Sequence, residues 1–307
     1  MTTVLHRATH WNRPLMVLVG AMAVLAVVAT AGILVDPRVL IGVPIWLKPL
    51  KFAVSFVLYG TTLAWMLSLL PRRSRVAEGA VTVIVAVAVI EMAVIVGQVV
   101  RGQASHFNDS TPLNTALFAT MGVAIMVLFL AHLVLGIVVL IRRIPDRVAA
   151  TAVRWGLGLS LLGMLAAVPM ALPTRDPGID GISGAHSVGV PDGGPGLPVL
   201  GWSTTGGDVR VGHFVGLHAL QALPILAILL SRFATRLDDR TRARLLVVAG
   251  GAYGVLTVLL TWQALRGQPL LRPDAGTLAA LATLLLAAAT ATGLVLARRR
   301  PELELVA

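Results

Sequence analysis

Eight apolar runs of roughly twenty residues, at 14–35, 52–70, 76–100, 112–141, 155–172, 211–230, 245–265 and 277–297, leave this chain few ways to fold. Each is long enough to cross a hydrocarbon core of about 30 Å. A backbone in lipid must satisfy its own hydrogen bonds, so runs of this length are read as helices. The predicted fold is all-α, a polytopic membrane protein of eight transmembrane helices whose first partner is the lipid bilayer. Composition agrees: 57% of the 307 residues are hydrophobic and 13% charged, outside the range of soluble globular domains.

A net charge of +11 raises the question of nucleic acid, and the placement of the charge answers it. Arg72, Arg73 and Arg75 share one loop; Arg142, Arg143, Arg147 and Arg154 lie in or beside another. Arg232, Arg236, Arg240, Arg242 and Arg244 fill a third, and Arg298, Arg299 and Arg300 follow the last run. Together with Arg7 and Arg13 these clusters fall on one face of the membrane, which the positive-inside rule makes cytoplasmic, with both termini inside. The basic surplus therefore reports topology, and no nucleic-acid partner is expected. The expected location is the inner, cytoplasmic membrane of a bacterial cell. The chain has no cysteine, which excludes disulfides and any iron–sulfur cluster held through Cys. Cleavage after Ala31, a site of signal-peptide character, competes with retention of the first helix; its length of 22 residues favours retention.

Four of the five glutamines sit in two Q-x-x-R-G-Q hexads, Gln98 to Gln103 and Gln263 to Gln268, each ending an apolar run. Aligning them pairs Arg101 with Arg266 and sets Lys48 beside His213 at the start of the preceding helix. Asp36-Pro37 and Asp176-Pro177 then close the first and fifth helices, with Arg13 and Arg154 just before them. The pattern predicts a parallel 4+4 repeat, residues 1–150 and 151–307, with the second unit carrying a long extracytoplasmic loop at 173–210. The Gly after each Arg suits a left-handed helix C-cap.

Polar residues concentrate toward the extracytoplasmic ends. Glu91 lies ten residues before Arg101, about 15 Å along the helix and inside the apolar span, on the same face as Gln98. A buried carboxylate must pair, accept hydrogen bonds or stay protonated, and an intramembrane acid is a functional candidate unless it serves packing. Lys48 and Lys51 are the only lysines, and Lys51, Ser55, Tyr59 and Thr62 continue as a polar stripe. Helix 6 brings Arg210, His213, His218 and Gln221, above a Pro224 expected to kink it. The expected ligand-binding set is Lys48, Lys51, Glu91, Gln98, Arg101, Arg210, His213, His218 and Gln221, in a polar pocket between helices 2, 3 and 6 beneath the long loop. That loop's prolines, Trp202 and small residues suit a folded lid. The five-residue interval of His213 and His218 is poor for one metal ion, so a metal site would need His106 and His186 beside His218. A haem or a divalent metal stays open on the same histidines. His132 reads as a hydrogen-bonded packing residue.

The stretch "RGQASHFN", with "DGGPGLPVLGWSTTGGDVRVGHFVGLHALQALP", resembles uncharacterised multi-pass bacterial membrane proteins of Arg-rich, Lys-poor composition. The resemblance implies a membrane fold and carries no activity. No Walker loop, G-x-S-x-G or H-E-x-x-H motif is present, and no catalytic residue is assigned. Three readings follow. The first is a transporter-like or receptor-like protein binding a small polar or anionic ligand from outside, with Glu91 as a proton-coupling acid. The second is a redox protein or enzyme using haem, metal or quinone near His106, His186 and His218. In the third, the polar cluster is packing glue within a larger complex, and oligomeric state stays open. Topology is directly testable because the chain has no cysteine of its own. In intact cells a membrane-impermeant maleimide is expected to label Thr205→Cys and to leave Arg143→Cys and Arg240→Cys unlabelled; the opposite pattern overturns the orientation.

Overall fold

The computed structural model describes residues 12–172 and 180–298. Eight helices long and apolar enough to cross a membrane follow in order. They are α1 Arg13–Val35, α2 Leu47–Ser68, α3 Arg75–Arg101, α4 Pro112–Ile141, α5 Arg147–Leu165, α6 Arg210–Phe233, α7 Asp239–Leu265 and α8 Ala275–Ala297. The chain is a multi-pass membrane protein by the length and composition of these helices.

Local chemistry sets most of the helix starts. Ser74, Thr111, Asp146, Asp238 and Asp274 each stand at an N-cap and accept a hydrogen bond from a backbone N–H two or three residues ahead. The cap at Asp146 starts α5 earlier than its apolar run does, so Arg154 lies about two turns inside the helix, not before it. Asp176-Pro177, expected to close α5, lies outside the described residues. Pro224 sits within one continuous helix, so the expected kink does not break α6.

The helices pack in two similar sets. In the first, α1 touches α2 and α3, α2 touches α3, and α3 touches α4; in the second, α5 touches α6 and α7, α6 touches α7, and α7 touches α8. Between the sets, α4 meets α5 and α2 meets α6. Connections 36–46, 102–111, 180–209 and 266–274 share one end of the bundle, here the cap end; the arginine-rich connections share the other.

Lipid tails are as apolar as leucine, so helices associate in a bilayer through close packing and interhelical hydrogen bonds. Both devices hold this bundle. A β-carbon on Gly163 of α5 would collide with the backbone of Gly216 and Leu217 on α6, so these helices approach as only glycine allows. The contact lets His213 Nδ1 reach Gly163 O at 2.8 Å.

The second device joins the two sets. His132 of α4, fully buried, receives Tyr59 of α2 at Nδ1 and Ser160 of α5 at Nε2, both at 2.8 Å. Ser160 Oγ also donates to Leu157 O at 2.9 Å, so it accepts from His132 Nε2–H, and Nδ1 accepts the Tyr59 hydroxyl proton. Every polar atom of this three-helix clamp is satisfied. Toward the basic end, α4 and α5 share an apolar cluster that includes Leu135, Val138, Val153 and Leu157. A Tyr59→Phe and His132→Leu double-mutant cycle should show coupling of about 0.6 kcal/mol, below a ceiling near 1.7. Unfolding of the purified protein measures it, and additive losses would deny the clamp.

Candidate functional site

The cap end is built from short polar turns. Between β1 (Val39–Leu40) and β2 (Val43–Pro44), Ile41 and Gly42 both have positive φ, 47° and 74°, the signature of a type I′ hairpin. Gly42 faces the carbonyl of Gly193 so closely that a β-carbon would force them apart. Residues 180–209, the described part of the loop expected at 173–210, form paired short strands and turns across the cap end, here termed the lid. Here β3 (Ser187–Val188) pairs antiparallel with β4 (Gly207–Asp208). Two carboxylates organise the rest. Asp192 accepts from the backbone N–H of His186 and Ser187 and from His186 Nδ1 at 2.7 Å. Asp208 accepts from Ser203 N at 2.8 Å and from the Arg210 guanidinium.

The two hexads turn out to be matched helix-to-helix turns. Gly102 and Gly267 are left-handed, at φ 68° and 73°. Gln98 Nε2 donates to the carbonyl of Ala104, and Gln263 Nε2 to that of Pro269, six residues ahead in both cases. The second glutamine of each hexad accepts from the next helix, Gln103 from Asn114 and Gln268 from Thr277. Arg101 donates to Gln98 and Asn114, and Arg266 pairs with Asp274. The lid rests on both turns: Asn108 bridges Ile182, and Gly207 abuts Ala264.

Beneath the lid is a cavity of about 760 Å³, in the size range of ligand pockets, about 300–1,000 Å³. It brings together Lys48, Lys51, Arg210, His213, His218 and Gln221. His106 and His186 also line it, while Glu91, Gln98 and Arg101 do not. The expected pocket lay between helices 2, 3 and 6. The observed one lies between α2, α4, α5 and α6, and α3 contributes only Ile95 and Val99 from its span. The reason is that the polar end of α3 is spent on its own turn. Glu91, fully buried, sits one turn from Ile95 on that face, among apolar residues that include Ala88 and Met92. Among the described residues, neither carboxyl oxygen of Glu91 has a hydrogen-bond partner.

Most polar groups in the cavity wall are already engaged. Lys51 Nζ donates to Leu200 O at 3.1 Å, and Arg210 to Asp208 and to Gly201 O. Gln221 joins His218 to Thr62, each contact 3.3 Å. His213 gives its Nδ1 proton to Gly163 O and His186 gives its own to Asp192, so each neutral ring leaves Nε2 as a bare acceptor. Lys48 differs: among the described residues its ammonium has no hydrogen-bond or ion-pair partner, although it lines the cavity. No three His, Cys, Asp or Glu side chains among the described residues converge as a metal-binding set, so His106, His186 and His218 are not gathered around one point.

Comparison with family models, with curated proteins and with solved structures finds no match to this chain. Its geometry must speak for itself. Three contributors carry little sequence signal. Asp192 follows His186 by six residues in a Gly- and Pro-rich loop, the one hint of their pairing. Ser160 is a lone serine in an apolar run. Phe107 adopts φ 58°, rare for a bulky residue, and its ring wedges edge-on against His186 at 5.3 Å.

Burial pushes His186 below its ordinary value of 6.5, against the opposing pull of Asp192, and drives His106 down further, helped by the positive charge of Lys48. Burial raises Asp192, but its hydrogen bonds from His186 and Ser187 outweigh that and hold it below the usual carboxylate range. For both histidines the unfolded chain binds protons that the folded cap refuses, so stability is complete above 6.5 and lost as pH falls. The Asp192 contribution disappears only below 3.8, outside that window. Hydrogen exchange of amides 186–209, corrected for intrinsic rate, should therefore quicken from about pH 7.5 to about pH 5.5. His106→Gln and His186→Gln should flatten the trend; an unchanged slope in both contradicts the assignment.

Proposed function

We propose that this protein binds a small anionic ligand in the cavity beneath the lid, entered from the extracytoplasmic side, and that it works as a transporter-like or receptor-like protein. One observation carries the reading: an unpartnered ammonium, Lys48, in a cavity of about 760 Å³ whose other cations are held by protein acceptors. An ammonium with no acceptor or carboxylate in contact gains a charge-assisted hydrogen bond from an anion placed against it. The bare Nε2 atoms of His186 and His213 would accept from any hydroxyl the ligand carries, and Gln221 and His218 would orient it. Glu91, buried without a partner one turn behind the cavity wall, is the proton-exchanging acid if the ligand is transported.

The 4+4 duplication belongs to the same proposal. Its support is that each half repeats the same helix neighbours and the same hexad turn, atom for atom in the first glutamine's hydrogen bond. A parallel repeat would set the cavity at the seam, where α2 meets its counterpart α6. The arginine-rich connections at the opposite end support a cytoplasmic placement of that end and of both termini.

Thermal unfolding of purified protein with inorganic phosphate, glycerol phosphate or short carboxylates tests the reading. Saturation near 100 times Kd should stabilise the wild type by about 2.7 kcal/mol. Phosphate also stabilises proteins by exclusion from their surface, so the decisive quantity is the part lost in Lys48→Met and kept in Lys48→Arg. Equal stabilisation of wild type and Lys48→Met by every anion overturns the proposal.

A further inference from the structure

The cavity is not sealed on its flank. Four residues in its wall, Ile125 and Met126 of α4 with Leu165 at the end of α5 and Val168 in the turn after it, are also about half exposed, at 48%, 58%, 53% and 54%. Wall residues of both helices exposed together at one level place the opening of the cavity there. Gly122 joins them on α4, and a β-carbon there would meet no atom within 4 Å. The opening has a definite lower edge. Below it, His132 bonds Ser160, and Leu135 and Val138 pack with Val153 and Leu157, so α4 and α5 are closed from the clamp to the basic end and parted above it. The gap therefore faces the hydrocarbon of the leaflet on the cap side, and every side chain named along it is apolar.

The chemistry of the cavity is accordingly two-ended. Under the lid stands the ammonium of Lys48, which pairs with no acid among the described residues: Asp192 is committed to His186 and backbone N–H groups and Asp208 to Arg210, while the Glu91 carboxylate acts on Lys48 from behind the cavity wall without contact. Toward α4 and α5 the wall is Met121, Ile125, Phe129 and Met164. A hydrophilic anion would leave that end empty and a neutral hydrocarbon would leave Lys48 without a counter-charge. We propose that the occupant is an anionic lipid, its headgroup against Lys48 beneath the lid and its hydrocarbon chain leaving between α4 and α5 into the bilayer. This rests on the anion-binding reading and names the class of anion, a phosphate monoester or free carboxylate bearing an acyl or prenyl-like tail, with lateral uptake from the membrane in place of entry past the lid.

The test uses the full chain in phosphatidylcholine nanodiscs containing a minor fraction of phosphatidic acid with a photoactivatable diazirine in its acyl chain. After illumination, adducts mapped by mass spectrometry should concentrate on 121–129 and 164–168. Lys48→Met should reduce them by roughly tenfold, and diazirine-bearing phosphatidylcholine should label these segments as weakly as that variant does. Gly122→Trp, whose β-carbon would meet no atom within 4 Å and whose ring would occupy the gap, should also suppress labelling. Gly79→Trp, equally unobstructed but on α3 near the basic end, serves as the folding control and should leave it intact. Labelling spread evenly over the lipid-facing helices, or indifferent to headgroup and to Lys48, overturns the proposal. If glycerol phosphate still stabilises the protein through Lys48 while the lipid labels nothing in the gap, the lateral-lipid inference fails and anion binding stands. If glycerol phosphate also fails to stabilise it, both fall.

Discussion

The arrangement depends on one buried hydrogen-bonded chain, Tyr59 to His132 to Ser160 to Leu157 O. It crosses three helices and ties the first set to the second at mid-bundle. In lipid, where apolar contact gives helices little reason to choose one another, a satisfied polar chain of this kind fixes which helices meet and at what depth. Below it α4 and α5 pack closely. Above it they part, and the cavity occupies the space. A histidine that reads as a packing residue is therefore also the floor beneath the site.

The other end is set by turns. Each hexad closes a helix with a left-handed glycine, spends its glutamines and arginine on the hairpin, and offers the lid a rigid edge. This divides the polar residues of the cap end into two kinds. Gln98, Arg101, Gln263, Arg266, Asp192 and Asp208 have their hydrogen bonds within the protein and hold the frame. Among the described residues Lys48 does not, nor do the second nitrogens of His186 and His213. Polar groups left open inside an otherwise satisfied framework are where a ligand has something to contribute.

The helices were legible because a bilayer permits so few structures: run length and the arginine clusters mark the spans, while the caps at Asp146 and Asp238 start α5 and α7 well before the apolar runs at 155 and 245. Lys48, Lys51, His213, His218 and Gln221 were legible as a group because helical spacing puts them near one end of two helices. Glu91, Gln98 and Arg101 were drawn into the same group for the same reason, yet they lie off the cavity. Depth along a helix can be counted from sequence, but the azimuth of α3 depends on what its turn and its neighbours demand. The α4–α5 gap was invisible, since Ile125, Met126, Leu165 and Val168 are chemically identical to lipid-facing residues anywhere. The close approach of α5 to α6 at Gly163 and Gly216 was equally silent, because glycines in apolar runs carry no label for which partner they face.

Joined at His132, the two sets of helices leave above the clamp the cavity proposed to bind a ligand. A density map of the protein in lipid nanodiscs tests this most directly. The account predicts an elongated non-protein feature between α4 and α5, ending within hydrogen-bonding distance of Lys48 Nζ. Density showing α4 and α5 packed side chain to side chain up to the lid, with Lys48 bonded to a protein acceptor, would contradict it.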